Sequence, residues 1–315
     1  MIDCMEQVAK FLLEQSELLL ICHKSPDGDT VGSAFALYYG LTALGKKVNV
    51  LCQDDWPESF SYLYPDSAFR EREGTPVTVD IASPQLMGAK LEEYANTIAL
   101  CIDHHGCNSV KATRFLLDER AAATAEIVFF LLQRMNVSLS QQIANCLYTG
   151  ICTDTGCCRY SNCTSQTHRI AATLIECGAQ ASEINRRLFE MKSLGRLRLE
   201  QKVLEKLSLF HDGQIAFSEL TRSEFLEAGA IPSDFDGIPA ILRSIQGVQI
   251  AIMVKEQQEG SYKVSVRTSE EVDASAFCRQ FGGGGHIRAS GCTISGTAQE
   301  VKRQLCEAAD RWLTL

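Results

Sequence analysis

Helix-like and strand-like segments alternate through the first half of this 315-residue chain, which predicts an α/β domain on a doubly wound, mainly parallel sheet. After residue 206 the texture changes to short strands with a few helices between them, which predicts a smaller α+β domain. The expected boundaries are 1–190 for the first domain, 191–206 for a helical linker and 207–315 for the second, with a cleft between the two domains. A chain of this length can bury two cores.

Each element has its own signal. MEQVAKFLLEQ reads as a helix and ELLLICH as a strand; VGSAFALYYGLTAL has helical period and KKVNVLCQ follows as a second strand. PVTVDIAS and NTIALCID are two further apolar runs, each passing into an aspartate. Residues 121–206 read as mostly helical, ending in ASEINRRLFEMKSLGRLRLEQKVLEKL, where the connection between domains is expected. LSLFHDG, QIAFSEL, VQIAIMVKEQ and SYKVSVRT are the strands of the second domain.

Composition removes several function classes. A net charge of −9 argues against wrapping long nucleic acid, which needs a broad basic surface, but leaves room for a small phosphorylated substrate if cations supply positive charge locally. No apolar run approaches the ~20 residues of a membrane span. The N-terminal MIDCMEQVAK carries acids where a secretory signal carries bases, so a cytoplasmic protein is expected. Fourteen cysteines then read as reduced thiols. Cys157, Cys158 and Cys163 lack the paired spacing of structural zinc, so no metal is expected there.

In parallel α/β sheets ligands collect outside the carboxyl ends of the strands. Those ends carry the polar residues here: His23 after ELLLIC, Asp80 after PVTV, and Asp103, His104 and His105 closing NTIALCI. The stretch HKSPDGDT adds Asp27 and Asp29, and Asp154 lies in GICTDTG at a glycine-flanked turn. Pro-Asp-Gly-Asp is also the composition of an ordinary surface turn. If all these groups converge, the site holds more carboxylates than can stay ionised together without cations. Oxygen and imidazole donors without thiolate suit Mn²⁺; Mg²⁺ is possible but prefers water to imidazole.

These residues carry a resemblance. His23-x3-Asp27-x-Asp29, the strand-end Asp80, the triplet Asp103-His104-His105 and Asp154 resemble the four motifs of the DHH phosphoesterase family. FGGGGHIRASG, with SVRT before it, resembles the glycine-rich motif of that family's associated second domain, DHHA1. TDTGCCRYSN and the following TSQTHRIAATLIECGA look like the stand-alone branch of nano-RNases, oligoribonucleases that also act on pAp.

The resemblance implies two metal ions. His23 and Asp27 would hold the first, Asp29, His104 and Asp154 the second, and Asp80 would bridge them. Gly28 would permit a turn that points Asp27 and Asp29 to different ions. Asp103 would fix a histidine's orientation or cap a helix. His105 would face the substrate phosphate and protonate the leaving oxygen, or make a structural hydrogen bond. In the second domain Gly283, Gly284, Gly285 and His286 would approach a phosphate through backbone N–H groups, unless the glycines are an uninvolved linker. Arg267 would grip a phosphate bidentately or form a surface salt bridge. His168 and His211 read as structural or solvated. Phe60, Tyr62 and Tyr64 offer a base-stacking face or, at alternating spacing, strand or core packing.

The expected substrates are oligoribonucleotides of two to five nucleotides, cut to mononucleotides, and pAp, dephosphorylated to AMP. The alternatives are a phosphodiesterase for pGpG, pApA or cyclic dinucleotides, an inorganic pyrophosphatase, whose adjacent Arg-Lys element is lacking here, and a non-catalytic nucleotide-binding module. A homodimer is implied by resemblance alone.

Overall fold

The computed structural model describes residues 3–66, 72–235, 237–269, 271–285 and 287–313. The chain divides into two units, Met1–Met191 and Lys192–Leu315.

The first unit opens with α1 (Met5–Glu14), β1 (Glu17–Ile21), α2 (Gly28–Ala43) and β2 (Lys47–Leu51). It continues through β3 (Thr75–Val79), β4 (Ile98–Asp103) and β5 (Ala112–Leu117) to α3 (Thr124–Arg134), α4 (Gln141–Thr155), α5 (Ser165–Glu176) and α6 (Ala181–Asn185). All paired strands run parallel in the order β2-β1-β3-β4-β5. Alternation along β1 explains why both faces are dry. Leu18 and Leu20 enter the core under α2, α3 and α4, while Leu19 and Ile21 point to the opposite face with Ile81, Met87 and Leu91. That second face is covered by short 3₁₀ turns, Pro84–Leu86 and Ala89–Tyr94.

Strand β5 was not anticipated. Its sequence, ATRFLL, mixes Arg114 with half-buried positions, because it is the edge of the sheet and only Leu116 is fully buried. Phe60 and Tyr62 lie in a 3₁₀ helix, Glu58–Leu63, not a strand, and Tyr64 directly follows it. All three pack inward: Phe60 is buried, the Tyr62 hydroxyl meets Thr149 Oγ1 at 2.9 Å, and the Tyr64 ring lies 5.3 Å from Phe35.

The second unit begins with α7 (Leu194–Glu205), β6 (Ser208–Phe210), β7 (Ile215–Leu220), α8 (Arg222–Glu227) and α9 (Ile238–Arg243). It ends with β8 (Ile250–Gln258), β9 (Ser261–Thr268), α10 (Ala274–Arg279), β10 (Gly284–Gly285), β11 (Ala289–Ser295) and α11 (Ala298–Leu313). The sheet order is β10-β11-β9-β8-β7-β6, antiparallel except for β7 beside β8. Helix α7 is no free linker: Leu199 and Val203 pack against Ala216, Leu220 and Met253. The long helical run expected over 181–207 is broken at Met191–Ser193, where the Met191 backbone turns extended and Ser193 caps α7.

Among the described residues no helix is long and apolar enough to cross a membrane.

Candidate metal centre

The strand order reverses between β1 and β3, where ligands bind in open parallel sheets. His23 leaves the end of β1, Asp80 the end of β3, and Asp103, His104 and His105 the end of β4. The three strand ends therefore stand side by side.

HKSPDGDT is not a free-standing turn. Asp27 is the N-cap of α2, its Oδ1 accepting from the backbone N–H of Asp29 at 3.0 Å and of Thr30 at 3.2 Å. Gly28 is the first helical residue, so glycine is not there to permit a turn. It is needed because a Cβ would lie 2.3 Å from Thr153 on α4. Thr30 Oγ1 donates to the Val79 carbonyl at 2.9 Å and ties the start of α2 to the end of β3.

Three overlapping sets of donors meet here, one of them Asp80 with His104 and His105. His23, Asp27 and Asp80 bring ligating atoms within 4.8 Å of one another, and so do Asp29, His104 and Asp154. Asp80 turns a different oxygen to each: Oδ2 is 3.8 Å from His23 Nε2, and Oδ1 is 3.8 Å from His104 Nε2. It does so from a left-handed backbone, φ 60°, which is strained for a residue other than glycine. Its peptide N–H donates to the Ile102 carbonyl at 2.9 Å, and Thr124 Oγ1 donates to its Oδ1 at 2.8 Å. His104 Nε2 is 3.2 Å from Asp154 Oδ2 and 4.0 Å from Asp29 Oδ2.

The imidazoles are turned the right way for ligation. His23 Nδ1 faces the Lys24 carbonyl at 2.8 Å and His104 Nδ1 faces the Ala121 carbonyl at 3.1 Å. A carbonyl only accepts, so each Nδ1 carries the proton and Nε2 is left toward the carboxylates. His105 differs. Its Nδ1 donates to Asp103 Oδ1 at 2.7 Å, which commits that nitrogen and leaves Nε2 for another partner. Asp103 also accepts from the His104 N–H at 2.9 Å and from Asn108 Nδ2 at 2.6 Å. It closes a strand and caps no helix.

Asp29 is fully buried yet well held. The N–H groups of Thr124 and Ala125 donate to its two oxygens at 2.6 and 2.9 Å, and Ser33 Oγ adds a third bond at 3.2 Å. The start of α3 thus points its positive end at this carboxylate. Sequence reasoning missed Thr124 and Ala125, because AAATAEIV reads as an ordinary helix start.

The electrostatics ask for cations. Burial, then the charges of Asp27 and Asp154, pushes Asp80 up to about 7. Burial and the charges of Asp80 and Asp154 raise Asp29 likewise. Against the opposing effect of burial, the Asp27 carboxylate holds His23 up at about 9, and the carboxylates of Asp154 and Asp29 hold His104 at about 10. Four carboxylates with two inward-facing imidazole nitrogens and no thiolate are a donor set for hard or borderline divalent ions, and the residues present fit that group.

In the second unit, Arg267 is half-buried on β9, opposite Ala251 and Ala289. Among the described residues no carboxylate lies within ion-pair distance of it, so the surface salt bridge is not made; its guanidinium donates to the Val266 carbonyl at 3.0 Å. Gly284 and Gly285 form the short edge strand β10, and Gly283 just before it donates its N–H to the Cys278 carbonyl at 2.9 Å, so the glycines are no linker. Gly284 pairs with Gly291 and Gly285 with Ser290. A Cβ on Gly283 would lie 2.2 Å from the Gly291 carbonyl oxygen, and Gly285 has φ 146°. His286 lies outside the described residues. His211 is paired with Asp310 at 2.7 Å, a structural role.

A model of the DHH family, N-terminal domain, matches residues 17–151, and a DHHA1 domain model matches residues 212–315. Over 308 residues the chain is 32% identical to the bifunctional oligoribonuclease and PAP phosphatase NrnA of Thermus thermophilus, covering 95% of this chain and 91% of that one. The Bacillus subtilis protein of the same name is 28% identical, covering 88% and 89%. The crystal structure of an exopolyphosphatase-related protein from Bacteroides fragilis superposes with a TM-score of 0.91 at 25% identity, covering 98% and 96%. With both domain models in order along the chain and a relative this similar over its whole length, the chain belongs to the DHH–DHHA1 family of phosphoesterases.

Proposed function

We propose that this chain is a two-metal phosphohydrolase that degrades oligoribonucleotides of two to five nucleotides to mononucleotides and converts pAp to AMP. The observation that carries the reading is Asp80, which turns one oxygen to each of two separate histidine–aspartate groups. In this reading His23 and Asp27 would hold one ion and Asp29, His104 and Asp154 the other, with Asp80 available to both. The mixed oxygen and imidazole donors favour Mn²⁺ over Mg²⁺. When bound, such a pair supplies Lewis acidity to the phosphoryl oxygens and makes water acidic enough to attack at neutral pH.

The protein's own groups do the positioning. The Lys24 and Ala121 carbonyls fix the tautomers of His23 and His104. The amides of Thr124 and Ala125 fix Asp29 in place and favour its ionised form, opposing the burial and neighbouring charges that raise it. Asp103 raises the basicity of His105, which favours the protonated ring whose Nε2 would serve as donor to the leaving oxygen. Arg267, free of any described carboxylate, and the backbone at Gly284 and Gly285, with His286, are assigned to a substrate phosphate, whereas the Gly283 N–H is already taken by the Cys278 carbonyl at 2.9 Å. The net charge of −9 supports the exclusion of long nucleic acid. The same reading places the protein in the cytoplasm as a homodimer.

The test is hydrolysis by the purified chain with Mn²⁺, using end-labelled RNAs from dinucleotides upward beside pAp, with a chelator control. Fast metal-dependent cleavage of the shortest RNAs and release of phosphate from pAp are expected. Inactivity on both, with turnover of pyrophosphate or a cyclic dinucleotide, would retain the metal centre and overturn the substrate.

A further inference from the structure

Directly after Asp154 the chain builds a second group of metal-binding side chains, of different chemistry. Cys158, Cys163 and His168 bring Sγ, Sγ and an imidazole nitrogen within 4.8 Å of one another. They come from a loop and from the first turns of α5, so the sequence alone, read for paired cysteine spacing, gives no sign of them. Three features point to an ion.

The first is distance. A tetrahedral zinc with Zn–S of about 2.3 Å and Zn–N of about 2.05 Å separates its sulfur and nitrogen ligands by about 3.6 Å. Cys163 Sγ and His168 Nε2 are 3.5 Å apart.

The second is the backbone. Gly156, Cys157 and Cys158 are consecutive left-handed residues, at φ 55°, 59° and 61°. For the two cysteines this conformation costs roughly 1–2 kcal/mol each, and strain of that kind persists where the surrounding structure imposes it. Here it turns the chain back so that Cys158 meets Cys163.

The third is an unpartnered anion. Glu126 on α3 is 2% exposed, and one of its carboxylate oxygens has no hydrogen-bond partner. It is near enough for its charge to act on the Cys163 thiol. A buried carboxylate oxygen left without a partner is costly unless something cationic faces it.

We propose that Cys158, Cys163 and His168 form a zinc site, with a water in the fourth position, that pins the loop following Asp154. Thiolate and imidazole select Zn²⁺, whereas the carboxylate-rich centre suits harder ions, so one chain sorts two metals by ligand softness. The link to the catalytic centre is Asn162, between the two cysteines. Its Nδ2 donates to the Asp154 carbonyl at 3.1 Å and to the Ala122 carbonyl at 3.0 Å, just ahead of the amides that hold Asp29. An ion gripping the loop on either side of Asn162 holds those two bonds in place.

Cobalt(II) titration of the reduced, metal-stripped protein tests this, because thiolate-to-cobalt charge transfer in the near ultraviolet is blind to the carboxylate centre. The expected result is a thiolate band whose final intensity corresponds to one thiolate-bound cobalt per chain, and which is bleached by added Zn²⁺ and persists in Asp80→Ala. It should vanish in Cys163→Ser and in Cys158→Ser. In His168→Ala, whose side chain is exposed and whose loss spares the fold, half-saturation should need at least about tenfold more cobalt. No thiolate band, or a band undiminished in all three variants, would overturn the proposal. So would mass-spectrometric recovery of a Cys158–Cys163 disulfide from protein prepared without oxidant, which would make the pair a redox element.

Discussion

Replacing Thr124 by valine isolates one hydrogen bond at the centre of the site. Thr124 is fully buried, its hydroxyl donates to Asp80 Oδ1 at 2.8 Å, and its peptide N–H donates to Asp29 Oδ2 at 2.6 Å. Valine keeps the shape and the peptide N–H and deletes only the bond to Asp80. A hydrogen bond to an ionised acceptor contributes about 1.5–3 kcal/mol. Asp80 is pushed up to about 7 when no cation shares the site, so the bond matters most in the ionised form that holds metal. If the whole loss falls on that form, divalent-metal affinity drops by about 10- to 150-fold. Mn²⁺ titration followed by electron paramagnetic resonance measures the drop directly, and kcat at saturating Mn²⁺ should recover most of the wild-type value. Unchanged Mn²⁺ affinity with a lowered melting temperature would refute the reasoning, because Thr124 would then act only as packing.

Other perturbations separate the roles of neighbouring residues. Asp80→Ala should abolish turnover on every substrate and lower the number of Mn²⁺ ions bound per chain, as counted by equilibrium dialysis. Asp103→Asn should lower kcat on the order of 10²-fold with metal stoichiometry unchanged, because His105 loses the anion that raises its basicity; a steady-state pH profile checks it by a downward shift of its basic limb. Arg267→Ala should raise KM about 10- to 100-fold while kcat holds, and a large fall in kcat at constant KM would contradict a binding role. Metal binding should release protons. His23 and His104 are held at about 9 and 10, so below those values a cation must displace a proton from each, and Mn²⁺ affinity should strengthen as pH rises toward about 10; calorimetry in buffers of different ionisation enthalpy measures the protons released.

The sequence made the centre visible because strand ends are easy to read. Apolar runs that pass into His23, Asp80 and Asp103 place their polar residues at one sheet edge as soon as the sheet is taken to be parallel. What stayed hidden depends on contacts between distant segments. Strand β5 carries an edge strand's mixed pattern, with Arg114 folded over the Phe11 ring at 5.0 Å, and therefore resembles a loop. The amides that hold Asp29 come 95 and 96 residues later, from the main chain of a helix start, where side-chain identity says little. The meeting of Cys158, Cys163 and His168 needs three left-handed residues in a row, of which only Gly156 announces itself by type. Gly28 was legible as important and misread in purpose: its missing side chain matters to α4, not to its own backbone.

That close contact with α4 is also what brings Asp154 within reach of Asp29 and His104. A Cβ on Gly32 would lie 2.3 Å from the Cys146 carbonyl oxygen, and one on Gly150 would lie 2.8 Å from both the Ala125 Cβ and Asp29 Oδ1. The obstacles at Gly32 are backbone atoms of α4, which cannot move aside as a side chain would. Helices α2 and α4 therefore meet at closest approach around these two glycines. Asp29 lies three residues before Gly32 and Asp154 four residues after Gly150, so each stands about one turn from the contact on its own helix. Both carboxylates consequently reach the same nitrogen, His104 Nε2, at 4.0 and 3.2 Å. The separation of these two carboxylates is fixed by main-chain packing and not by flexible side chains, which is the rigidity a metal centre would need to keep its ions in register with a phosphate.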